Sequence, residues 1–158
     1  FYPKNNNAYL LLIVRSSYPG VHSSQIAFPG GKRDLADNTL QETALRETYE
    51  EVGIHPQHVE IVKQWSDLYI PPSNFMVSSF MGIIDDTPQF VLQPDEVSAV
   101  IELPVADLLN DHLVQNVRMN TSYAKDILVP AFMINDHIVW GATAMILSEI
   151  KETFKSVF

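Results

Sequence analysis

The 158-residue chain contains no cysteine, which excludes disulfide frameworks and thiol nucleophiles. It is also short of positive charge. Ten Lys and Arg against nineteen Asp and Glu give a formal charge of −9. A field of that sign excludes nucleic acid and anionic membrane as non-specific partners, and a polyanionic substrate would need metal ions and a few placed basic side chains to offset it. Long hydrophobic runs are missing. The longest, Ala8 to Val14 and Ile127 to Ile134, fall far short of the ~18 residues of a membrane helix. There is no Gly-x-Ser-x-Gly elbow and no Walker-type glycine loop, and His22, His55, His58, His112 and His137 have no zinc spacing, so they read as loop or surface residues. No signal-peptide pattern is visible, and the expected location is cytoplasmic. At 46% hydrophobic and 18% charged residues, the composition and length predict one globular domain over residues 1–158.

The most informative stretch runs from Phe28 to Ile54, FPGGKRDLADNTLQETALRETYEEVGI. Its second half predicts a helix. Asn38 stands where a cap is needed, with Gln41 three residues on to reach back. Leu40, Ala44, Thr48 and Val52 recur every four residues with Leu45 and Tyr49 beside them, a pattern for one buried stripe. Gly53 and Pro56 end the helix. Glu47, Glu50 and Glu51 at i, i+3 and i+4 then share a face, where their charges repel. Such a face is commonly just solvated. Here it follows a Pro-Gly-Gly turn and a preceding Arg46 placed to orient a carboxylate, so it predicts a site for a hard divalent cation, Mg²⁺ or Mn²⁺, of the kind held by carboxylates and substrate phosphates.

These residues resemble the Nudix box, G-x5-E-x7-R-E-U-x-E-E-x-G-U with U aliphatic: Gly31, Arg46, Glu47, Glu50, Glu51, Gly53 and Ile54 fill its places. The interval from Gly31 to Arg46 is one residue longer, the first acidic place falls on Asp37 or Asn38, and Thr48 stands at an aliphatic position. Upstream, Leu11, Leu12, Arg15, Ser16, Phe28, Pro29, Gly30 and Gly31 are in register with L-L-T-x-R-S/A-x3-R-x3-G-x3-F-P-G-G. That narrower signature marks the coenzyme A diphosphatase branch of the family. Ile13, Gly20 and Ser24 replace its Thr, second Arg and Gly, and the Trp140 to Ala144 run resembles the end of such chains with Met145 in place of an arginine.

The resemblance implies an α/β/α sandwich of Nudix type with a mixed β-sheet, flanked by the box helix and a C-terminal helix. It implies metal-dependent hydrolysis of a diphosphate linkage in a nucleoside diphosphate derivative, with coenzyme A or acyl-coenzyme A as the expected substrate. ADP-ribose, NADH or dinucleoside polyphosphates are the alternative, and a non-catalytic binding module is a third reading. Glu47, Glu50 and Glu51 are the implied metal ligands, together with the backbone of Gly31. One of Glu47, Glu50 or Glu96 is the implied base, Arg46 orients a box glutamate, and Arg15 meets a phosphate. Lys32 and Tyr69 are further candidates for substrate contact, Tyr69 because it lies in the rigid Pro-rich loop 69–74. Related enzymes are often homodimers, which extends that expectation to this chain.

The remaining pattern predicts strands over 8–15, 25–28, 59–65, 75–84 and 98–103 and a short helix from Pro104 to Leu109. It predicts a loop over 110–125, a hairpin of 127–134 with 137–140 about Asn135-Asp136, and a closing helix over 142–154 with Ile146 and Ile150 inward.

Overall fold

The structure is a computed structural model that describes residues 1–16, 25–120 and 124–157. Its strands are β1 (Tyr2–Lys4), β2 (Asn7–Arg15), β3 (Ile26–Ala27), β4 (Glu60–Gln64), β5 (Leu68–Ile70), β6 (Phe75–Val77), β7 (Phe80–Ile83), β8 (Val97–Pro104), β9 (Val114–Met119), β10 (Ile127–Ile134) and β11 (His137–Val139). Its α-helices are α1 (Leu40–Val52), α2 (Val105–Leu108) and α3 (Gly141–Lys155). None of the described helices is long and apolar enough to cross a membrane.

Alternation along β2 explains the layering. Leu10 and Leu12 belong to a buried cluster with Ala144, Ile146, Leu147 and Ile150 of α3, whereas Leu11 and Ile13 belong to a second cluster with Val52 at the end of α1. Successive side chains of a strand point to opposite faces, so a run of four aliphatic residues covers both sides of the sheet at once. A helix therefore packs on each side, the arrangement of an α/β/α sandwich. β1, β3 and β8 all pair with β2, and Asn5 and Asn6, both at positive φ, make the tight turn between β1 and β2. The other strands form the sheet β11-β10-β9 and the pairs β4-β7 and β5-β6. All described pairings are antiparallel, so the parallel neighbours of a mixed sheet are not among them.

Four local expectations need correction. The α1 cap is Thr39, not Asn38: its hydroxyl accepts the Glu42 N–H at 3.1 Å, while the Asn38 backbone and side-chain N–H groups both donate to the Glu42 carboxylate. The stretch 75–84 is two strands, because β6 turns back on β5 while β7 pairs with β4. The stretch 110–125 is not all loop. β9 pairs with β10 from Val114 to Met119, and its polar pattern gives no strand signal because most of its side chains stay exposed. Finally, α1 buries only Val52 of the predicted stripe. Leu40 and Tyr49 are about half exposed, and the fully buried positions are Thr43, Glu51 and Val52.

Candidate active site

Arg46 is the hub that joins α1 to the loop before it. Its guanidinium donates to both oxygens of Asp37, at 3.0 Å each from Nε and Nη2, and to the Lys32 carbonyl at 3.2 Å. It also pairs with Glu47 at 3.0 Å and with Glu50 at 2.9 Å. Asp37 in turn accepts from the Asp34 N–H and the Thr43 hydroxyl. Those donors, Arg46 foremost, hold its carboxyl well below the usual carboxylate range. Of the two residues at the first acidic place, Asp37 is the one that pairs with Arg46, and the loop 32–38 is tied to the helix by charge-assisted hydrogen bonds.

Three carboxylates converge beside this hub. Glu47, Glu51 and Glu96 each bring an oxygen within 4.8 Å of the other two. Glu47 and Glu51 come from one face of α1, one helical turn apart. Glu96 comes from the turn before β8: the Glu96 N–H donates to the Gln93 carbonyl, the Gln93 N–H donates to the Glu51 carbonyl, and the Ser16 N–H donates to the Glu96 carbonyl. Glu50 lies outside the group, half exposed, with its carboxylate turned to Arg46 four residues earlier.

Glycines make room for the group. The Gly30 N–H donates to Glu51 Oε2 at 2.8 Å, and Gly30 sits at φ 154, which a side chain rarely permits. Gly31 faces the Glu47 carboxylate so closely that a Cβ there would overlap it. The Gly31 backbone is therefore adjacent to the acidic group. Arg15, where the β2–β8 register shifts, places Nη1 3.7 Å from Glu51 Oε1, and its Nε is buried without a partner among the described residues.

Glu51 is almost fully buried. Burial pushes its carboxyl up to about 7; Gly30 and Arg15 pull it back down, and Glu47 and Glu96 push it up further. The metal-free folded protein therefore holds this proton more tightly than the unfolded chain, whose value lies near 4.5. The resulting stabilisation is complete below about pH 4.5 and is lost as pH rises through about 7. Thermal melting in chelator is expected to lose up to about 3 kcal/mol across that window. Glu51→Gln should abolish that component of the slope, and an unchanged profile in the mutant would assign the titration to another group.

A cavity of about 700 Å³ opens beside the carboxylates, and Arg15, Gly30, Gly31 and Lys32 line its near part. Ala44, Leu45 and Thr48 of α1 face it, which is where most of the predicted stripe points. Sealed and dry, a void of this size would cost roughly 17 kcal/mol at ~24 cal/mol per Å³. That exceeds the ~5–15 kcal/mol of a whole domain, so the space is a cleft open to solvent. The Lys32 ammonium lies over the Phe75 ring at 5.0 Å from its centroid, and both residues line the cleft. Tyr69 does not. Its hydroxyl bonds Asn74 within the β5–β6 hairpin, whose residues Phe75, Met76 and Val77 line the cleft, Phe75 and Met76 being the exposed two. The two were missed because a large apolar pair opening a strand reads as core. Their exposure at the tip of a Pro-rich turn is the signal that separates them. Gly20 and Ser24 lie outside the described residues. Met145 is exposed on α3 and does not line the cleft.

A family model described as NUDIX domain matches residues 2–122. Proteins called uncharacterized Nudix hydrolase NudL, from Klebsiella pneumoniae and Salmonella newport, are each 37% identical to this chain, over 145 and 148 residues respectively, spanning 89% of it and 72% of their own length. Among solved structures, the Nudix hydrolase RenU from M. smegmatis superposes with a TM-score of 0.65 at 12% identity, covering 99% of this chain and 82% of that one. The C. elegans Ap4A hydrolase binary complex gives 0.60 at 17% identity over 95% and 89%. The NUDIX domain of Shewanella oneidensis NrtR, complexed with ADP ribose, gives 0.52 at 23% identity over 69% and 70%. At these identities the structural likeness is one of fold.

Proposed function

The chain belongs to the Nudix family and is a hydrolase of phosphoric anhydride bonds, and from that premise we propose that its substrate is coenzyme A or an acylated form of it, cleaved at the diphosphate. The products would be 3′,5′-adenosine bisphosphate and 4′-phosphopantetheine or its acyl derivative. The observation that carries this reading is the approach of Arg15 to Glu51. It joins the narrower upstream signature to the box in one site, where a guanidinium suits bidentate contact with phosphate.

The donor set fits a hard divalent cation. Three carboxylates crowd together and, among the described residues, only Arg15 and Arg46 pair with them; one of the three is buried, and Gly31 leaves the space a side chain would fill. Glu47 and Glu51, beside the Gly31 backbone, would hold Mg²⁺ or Mn²⁺, with Glu96 at their side left to act on the water. When bound, the ion would neutralise charge on the non-bridging oxygens and on the leaving phosphate. The protein's own groups do the rest. Arg46 fixes the Glu47 carboxylate, and Gly30 fixes that of Glu51. Arg15 binds and orients a phosphate. The proton of the attacking water goes to Glu96, whose exposed carboxylate has no hydrogen bond or ion pair among the described residues, whereas Glu47 and Glu50 are both paired with Arg46.

The test is a phosphate-release panel with and without Mg²⁺. Coenzyme A is expected to be cleaved with a weak KM, because Gly20 supplies no charge where the signature has its second arginine. Each missing charge-assisted contact costs ~1.5–3 kcal/mol, or about ten- to more than a hundredfold in affinity. ADP-ribose cleaved far faster than coenzyme A would leave the general diphosphatase and remove the coenzyme A reading. No turnover of any member of the panel would favour a binding module instead, a role with no chemical need for the crowded carboxylates.

A further inference from the structure

Among the described residues the Lys32 ammonium has no carboxylate or hydrogen-bond partner, and its one contact is the face of the Phe75 ring. Its backbone is fixed. The Lys32 carbonyl accepts from Arg46 Nη2, and Lys32 follows Gly31, which abuts the Glu47 carboxylate. Phe75 therefore stands one lysine side chain away from the carboxylate group. It is also rigidly supported. Asn74 before it, at φ 54, accepts the Tyr69 hydroxyl, and the Ser73 and Asn74 N–H groups donate to the Ile70 and Pro71 carbonyls. The ring is 45% exposed and Met76 beside it 62%, and both line the cleft together with Arg15, Gly31 and Lys32. We propose that Phe75 is the platform on which the nucleobase of the substrate stacks, and that Lys32 leaves the ring for a phosphate as the substrate binds. The proposal rests on the nucleoside diphosphate part of the reading above, since coenzyme A and ADP-ribose carry the same adenine.

A cation–π contact at an exposed site is weak, whereas an ammonium–phosphate hydrogen bond is charge-assisted. A diphosphate at the carboxylate group therefore draws Lys32 away and uncovers the ring. The position of the ammonium over the centroid shows that Phe75 turns its face, not its edge, towards Lys32. That face is the negative part of the ring quadrupole, so it repels phosphate and suits a flat π-system. The base is the part of the substrate that has one. It hangs from the diphosphate by one ribose, a span comparable to the lysine side chain that here joins the loop to the ring.

The experiment titrates α,β-methylene-ADP and methylenediphosphonate into the Mg²⁺-loaded protein by calorimetry. The methylene bridge blocks cleavage, and the two ligands differ by one adenosine. In Phe75→Leu, which keeps apolar bulk and removes the π-face, the nucleotide is expected to bind about 5- to 150-fold more weakly, the worth of one base stack. Methylenediphosphonate should bind that variant as it binds wild type. Phe75→Tyr should keep the nucleotide affinity within about twofold, because the π-face is retained. Lys32→Gln should weaken both ligands, since both lose a phosphate contact. An unchanged nucleotide affinity in Phe75→Leu overturns the proposal. Equal weakening of both ligands there also overturns it, because the ring would then serve only to place Lys32. So does a Tyr variant as weak as the Leu variant, or a Lys32→Gln protein that binds methylenediphosphonate normally. Loss of folding in both Phe75 variants would make the ring structural, and a wild-type protein that binds the two ligands equally, or neither, has no base subsite. A substrate panel that replaces coenzyme A by ADP-ribose leaves this test unchanged, because the probe carries only the adenosine common to both.

Discussion

Replacing Glu51 with Gln is expected to lower hydrolysis by more than ~10²-fold, the several kcal/mol that metal-assisted electrostatics supply at a phosphoryl centre. The shape is kept, since the Gln carbonyl oxygen can still accept the Gly30 N–H that Glu51 now accepts at 2.8 Å. Only the charge is lost. In the absence of metal the mutant should be as stable as the wild type or more so, because a buried carboxylate crowded by Glu47 and Glu96 has been replaced by a neutral group. Activity and stability thus move in opposite directions. Near-normal turnover at saturating Mg²⁺ would remove Glu51 from the ligand set, and a destabilised mutant would show that its carboxylate is structural.

Gly31→Ala is expected to act through geometry instead of charge. The added methyl overlaps the Glu47 carboxylate, whose end is flexible and can swing aside, so folding should change by less than about 1 kcal/mol. The displaced carboxylate would no longer meet Glu51 and Glu96, and a misplacement of about 1 Å can cost ~10²-fold in rate. The KM for substrate should move far less than kcat. A mutant with unaltered kcat would mean that the present position of Glu47 has no part in the reaction. Unfolding would mean instead that the Pro29–Gly31 turn cannot relax as described.

Much of this protein follows from local sequence, and the reason is that local sequence sets local periodicity. Four consecutive aliphatic residues at 10–13 commit β2 to a strand covered on both faces. Gly53, at φ 77 with its N–H on the Tyr49 carbonyl, ends α1 where a left-handed residue is cheapest. The 3.6-residue period puts Glu47, Glu50 and Glu51 on one side of that helix before any tertiary contact exists.

The same period cannot say which of the three turns inward. That was decided by the contacts of the folded chain: the Gly30 N–H, from the loop before the helix, draws in Glu51, while Arg46, itself held by Asp37, keeps Glu50 outward. Glu96 reaches the group only because the turn at Gln93 is pinned to the end of α1 and β8 pairs with β2. β9 exists because β10 offers it an edge, not because its own residues favour a strand. The cleft is a tertiary outcome as well. Ala44 and Thr48 have the spacing of a buried stripe, but Thr43, Glu51 and Val52 take the buried positions, since the hydrogen bonds of Asp37, Thr43 and Arg46 set the rotation of α1 about its axis. Helical spacing fixes which side chains share a face, and only the contacts of the folded chain decide what that face meets.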